Sequence, residues 1–138
     1  MLILNPDIVK FAGGRIEGVV AVALDRRPAR EIVEFDDLGP HATFADVPEQ
    51  RVEIVVRQEL RAGDLNAMAP GDTGLLELWT APGASEAGRR KLSATAVCLR
   101  IEHELSRRAG AARTMRFIAI SASSATDPVT IADAGAGV

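Results

Sequence analysis

The chain has no tyrosine, one tryptophan and four phenylalanines, so aromatic residues fill only 4% of its 138 positions. A deep aromatic ligand pocket and a base-stacking surface both need exposed rings, and this composition argues against either. There is one cysteine, Cys98. It cannot form an internal disulfide, which makes a reducing compartment the expectation. Lying inside a strand-like run, it reads as a small buried apolar residue. Only two histidines occur, His41 and His103, and neither has a neighbour at metal-ligand spacing. Basic surplus is also missing: the formal net charge is -3 and the pI about 5.4. Binding nucleic acid through its phosphates requires a basic footprint, so that class is disfavoured. No run approaches the ~20 apolar residues of a membrane span, and the opening MLILNPDIVK is too short for a signal peptide. A cytoplasmic origin without a membrane partner is expected.

What is present is ordinary for a folded domain: 47% apolar and 25% charged residues. The length suits one domain, 1–138, with a real core. Residues 49–58, EQRVEIVVRQ, place Val52, Ile54 and Val56 on one face and Arg51, Glu53 and Arg57 on the other. That period of two is a half-buried antiparallel strand. Residues 8–11, 16–24, 32–35, 42–47, 74–80 and 114–123 read as further strands. Gly13-Gly14, Asp25-Arg26-Arg27-Pro28, a loop over 36–40, Pro48 as the close of the 42–47 strand, and Pro70-Gly71-Asp72 punctuate them. Residues 92–108 fit either a strand, with Val97, Leu99, Ile101 and Leu105 on one face, or a helix capped by Gly110. The β-branched Thr95, Val97 and Ile101 favour the strand. One short helix is expected over residues 64–68, with Asp64 as its N-cap and Pro70-Gly71 as its stop. Segments 1–7 and 125–138 read as terminal arms. The whole predicts a mainly β fold: a small antiparallel sandwich or barrel with one short α-helix.

The residues that could carry chemistry do not assemble into a site. Asp72-Thr73-Gly74 matches the aspartic-protease triplet. However, Ala69-Pro70-Gly71 stands where a protease has an apolar strand, so the triplet reads as a turn. Gly13-Gly14 lacks the lysine and helix of a phosphate loop. No Ser-His-Asp or Cys-His order can be built. The basic clusters Arg26-Arg27, Arg89-Arg90-Lys91 and Arg107-Arg108 are not interleaved with aromatics. They read as solvated loop ends, or as partners of acids such as Glu31, Asp36 and Asp37 on a neighbouring copy. No catalytic, cofactor-binding or metal residue is assigned, and an enzyme is not expected.

The order of these features resembles the bacteriophage tail tube (major tail) protein family, with the related tubes of contractile injection systems. The resemblance runs through ATFADVPEQRVEIVVRQEL at 42–60, the helix at 64–68, PGDTGLLEL at 70–78, the final strand to Ile118 and the tail through Asp127-Pro128-Val129. It implies a virion structural protein that forms hexameric rings stacked as a tube, a conduit for DNA. The implied location is the virion tail, after synthesis in the host cytoplasm. The implied partners are further copies of the chain and the tape measure, tail terminator and baseplate proteins. A tail-tip or connector ring, or the inner tube of an injection system, is the related alternative; a small binding barrel or enzyme is the unrelated one. Strand glutamates Glu17, Glu53, Glu77, Glu102 and Glu104 are candidates to line the lumen, where fixed negative charge would repel phosphate. Deleting 125–138 is expected to block polymerisation and spare folding.

Overall fold

The computed structural model describes residues 2–4, 6–60, 68–80, 89–108 and 110–133. Among the described residues nine strands make one antiparallel sheet: β1 Leu2–Leu4, β2 Pro6–Phe11, β3 Gly14–Arg15, β4 Val19–Phe35, β5 Ala42–Leu60, β6 Thr73–Thr80, β7 Arg90–Ser106, β8 Gly110–Ala119 and β9 Thr130–Asp133. Their spatial order is β1-β4-β5-β8-β7-β6-β2-β3, with β9 on β7. The fold is mainly β, as the alternating pattern predicts. The expected helix at 64–68 falls almost wholly on residues 61–67, outside the described residues. Met68 is described; it lies in no helix and packs against the core.

The sheet curls until its inner face meets itself. Phe11 on β2 and Phe117 on β8 are three strands apart along the sheet, yet their rings sit 4.9 Å apart. Inward residues of six strands fill the space between: Val9, Val22, Leu24, Val52, Ile54, Val56, Leu76, Leu78, Leu92, Cys98 and Met115. Burial of this apolar surface is the main term stabilising the body. A close backbone approach continues the β4–β5 ladder beyond Val19↔Gln58. Gly18 takes a left-handed φ of 71°, and a Cβ there would lie 2.5 Å from the Glu59 carbonyl, so only glycine fits. The Glu59 amide in turn donates to the Gly18 carbonyl at 2.9 Å.

Three sequence expectations are corrected. Asp25-Arg26-Arg27-Pro28 is not a turn, and Pro48 does not end a strand. β4 and β5 run straight through both sites as strands of 17 and 19 residues. The prolines are tolerated because bulges interrupt the ladder beside them, between Pro28 and Arg30 and between Arg30 and Ile32. Each strand also has one edge without a partner there, where a missing N–H costs nothing. The last long strand ends at Ala119 instead of Ser123, and a separate β9 follows. Of residues 92–108, those to Ser106 are strand, as favoured, within β7, and Arg107-Arg108 form the turn that follows.

Both segments read as arms contribute to the sheet. Leu2–Leu4 pairs with β4. Beyond β8 the chain crosses one end of the body, buries Val129 in the core and lays β9 against β7. Removing residues from 125 onward therefore deletes core surface, which the sequence alone does not reveal.

Candidate assembly interface

The consequence of two uninterrupted strands is a projection. From Arg26↔Val52 to Phe35↔Ala42, β4 and β5 pair only with each other among the described residues. At the rise of a β-strand this hairpin is about 30 Å long. Residues 42–50 are all exposed, as is β4 from Arg26 onward except for the half-buried Ile32. Among them are large apolar side chains: Val33, Phe35, Phe44 and Val47, with Leu38 at the tip 92% exposed. The pairing sets Val33 beside Ala45 on one face and Phe44 beside Glu34 on the other.

The hairpin has a fixed root. Glu53, only 8% exposed, accepts from Arg51 Nε at 2.6 Å and from Arg27 at 2.9 Å. Arg27 also pairs with Asp25 at 2.7 Å. The sequence pattern places Glu53 on an exposed charged face; it is buried instead, held by two guanidinium groups that offset its desolvation. Beside this cluster Arg26 pairs with Asp127 of the crossing segment at 2.5 Å. The Asp127 carboxyl is held below the usual range, first by the Val129 amide and then by Arg26. Its contribution is present above the ordinary carboxylate range and lost as pH falls through the depressed value. The group is half exposed, so the contribution is small. A polar cavity of about 530 Å³ opens here, lined by Arg26, Pro48, Gln50, Ser124, Asp127 and Pro128.

The chemistry-bearing residues of the sequence are scattered. Asp72 sits in a turn and accepts the Ala69 amide at 2.9 Å, while Gly71 and Asp72 bond the backbone of Cys98. That is a structural role for the triplet. His41 lies on the exposed tip of the hairpin. His103 accepts from Arg113 Nε at 3.1 Å, and Arg113 also bonds Gln58 at 3.3 Å, which together close the end of the core opposite the hairpin. Among the described residues no three His, Cys, Asp or Glu side chains are grouped to hold a metal. Burial pushes the Cys98 thiol up, against a smaller opposing effect of the Arg100 amide. We expect a thiol reagent at pH 8 to label Cys98 about tenfold slower or less in the folded chain than in denaturant. Equal rates in a thiol-labelling time course would show that β7 does not bury it.

The five glutamates expected on strands do not form one acidic surface, and Glu17 lies between β3 and β4 instead of in a strand. Besides Glu53, Glu17 pairs with Arg15 at 3.3 Å, Glu77 with Lys91 at 2.7 Å and Glu102 with Arg100 at 2.8 Å; Glu104 is exposed. Negative charge is concentrated on the hairpin. Residues 29–49 hold six acids and one arginine, a formal -5. The whole chain is -3, so the remainder is +2. Sequence reasoning missed this segregation because it reads the hairpin as separate short strands and turns.

Comparison of the chain with models of known protein families and with curated proteins finds no match.

Proposed function

We propose that this chain is a virion structural protein that self-assembles into hexameric rings stacked as a tail tube, a conduit through which DNA is delivered. The observation that carries this reading is the β4–β5 hairpin. A two-stranded ribbon in water is marginal by itself. This one exposes Val33, Phe35, Leu38, Phe44 and Val47 and leaves both edges open. Natural proteins seldom leave such an element uncovered, because it templates pairing with another chain. A partner copy of this chain is the economical cover.

The body supports a ring as well. β4 beyond Leu24 and β7 beyond Cys98 each have an unpaired edge, on opposite sides of the four long strands β4-β5-β8-β7. Joining one edge to the other on the next copy is a heterologous contact, and repeated with a closing rotation it makes a ring. The six-fold count rests on the family resemblance.

The test is size-exclusion chromatography with light scattering and negative-stain microscopy on the purified full chain. Rings of one diameter, alone or stacked into tubes, are the expected result. A monomer at every concentration reached would overturn the reading.

A further inference from the structure

We infer that copies of this chain dock end to end through an acidic hairpin tip on one copy and the basic β7–β8 turn on the next. This rests on the tube reading above and names the contact that would stack its rings. Three basic clusters are candidates to meet the acids of a neighbour, and the structure separates them. Arg26 and Arg27 are engaged by Asp127, Glu53 and Asp25. Arg89, Arg90 and Lys91 are engaged by Asp7, Asp133 and Glu77. Arg107 and Arg108 stand exposed in the turn between β7 and β8 and make no ion pair among the described residues.

The acids divide in the same way. Glu31, Glu34, Asp36, Asp37 and Asp46 on the hairpin are exposed and have no cation partner among the described residues. Only Glu49, nearer the root, faces Arg30, at 3.8 Å. These two unsatisfied charge groups sit at opposite ends of the molecule. β5 runs from Ala42 beside the tip to Leu60, which pairs with Ala111 one residue inside the turn strand. Eighteen residues of strand separate them by roughly 60 Å if straight. They cannot meet within one chain, so each is available to another copy. Each group also carries an exposed leucine, Leu38 at 92% and Leu105 at 67%. Opposite charge around an apolar contact sets register and suppresses wrong partners. Glu104 on β7 and Glu59 on β5 are in register with the same residue, Ala112, and are the exposed acids nearest the turn among the described residues; both lie back along the strands, so that Arg107 and Arg108 alone occupy the turn itself.

The experiment is charge reversal in the full chain. Arg107→Glu with Arg108→Glu should leave the thermal midpoint and single rings unchanged, because both side chains are solvated. Stacking should weaken, with the critical concentration for filaments rising about tenfold or more. Adding Asp36→Arg with Asp37→Arg to that variant should restore filaments. Raising salt to about 0.5 M should shorten wild-type filaments and leave the rings intact. Wild-type stacking by the Arg107→Glu, Arg108→Glu variant would overturn this inference while the tube reading stands. Failure of the wild-type chain to form any ring would overturn both.

Discussion

Replacing residues 29–49 with Asn-Gly should leave a folded monomer that forms neither of the proposed rings nor tubes. The substitution joins Pro28 to Gln50, which are already paired across the hairpin, with a two-residue turn suited to antiparallel strands. Nothing in the core is removed: Leu24 and Val52 remain, as do Arg27, Arg51 and Glu53 at the root. The excised residues are exposed on both faces, apart from the half-buried Ile32. Removing them costs the body about 1 kcal/mol or less, within the range of surface changes. Solubility should rise, since the exposed apolar side chains leave with the segment. The net charge should move from -3 to +2. Light scattering and a thermal melt measure both halves of the expectation. If the shortened chain still assembles, the hairpin is not the element that joins copies. If it fails to fold, the hairpin is instead part of the body's stability.

The pattern over residues 49–58 marks Val52, Ile54 and Val56 as core because one face of β5 is dry and the other wet there, and alternation reports that contrast. The same strand from Ala42 to Gln50 has water on both faces. Alternation then carries no information, and composition takes over. Asp, Arg, Pro and Gly read as turns, so one long strand becomes two short ones. Glu53 fails for a related reason. Its place on the outward face is legible, but its burial comes from Arg27 on the neighbouring strand, 26 positions away, and from Arg51. Val129 fails because a single valine in a polar tail has no period at all. The proposed interface is legible in the sequence only as unexplained charge: Asp36, Asp37, Arg107 and Arg108 stand out there, and only the pairing register puts them at opposite ends.

Two phenylalanines with the same chemistry should behave in opposite ways. Phe117 is fully buried on β8, paired in register with Ile54 and Cys98 and tilted 49° against Phe11 across the closed sheet. Phe117→Ala removes a ring that β2, β5 and β7 all help to enclose, and a rigid sheet cannot collapse into the space. The expected cost is about 3–5 kcal/mol, a large share of the 5–15 kcal/mol that a domain of this kind holds. It should appear in urea as a lower midpoint at unchanged slope. Phe44 is 50% exposed on the hairpin. Phe44→Ala should leave the monomer's midpoint within about 0.5 kcal/mol of the parent and weaken assembly instead. The pair separates closure from docking. A Phe117→Ala cost below about 1 kcal/mol would mean that β2 and β8 do not meet face to face. A large Phe44→Ala cost in the monomer would mean that the hairpin packs on its own body, leaving nothing to offer a second copy.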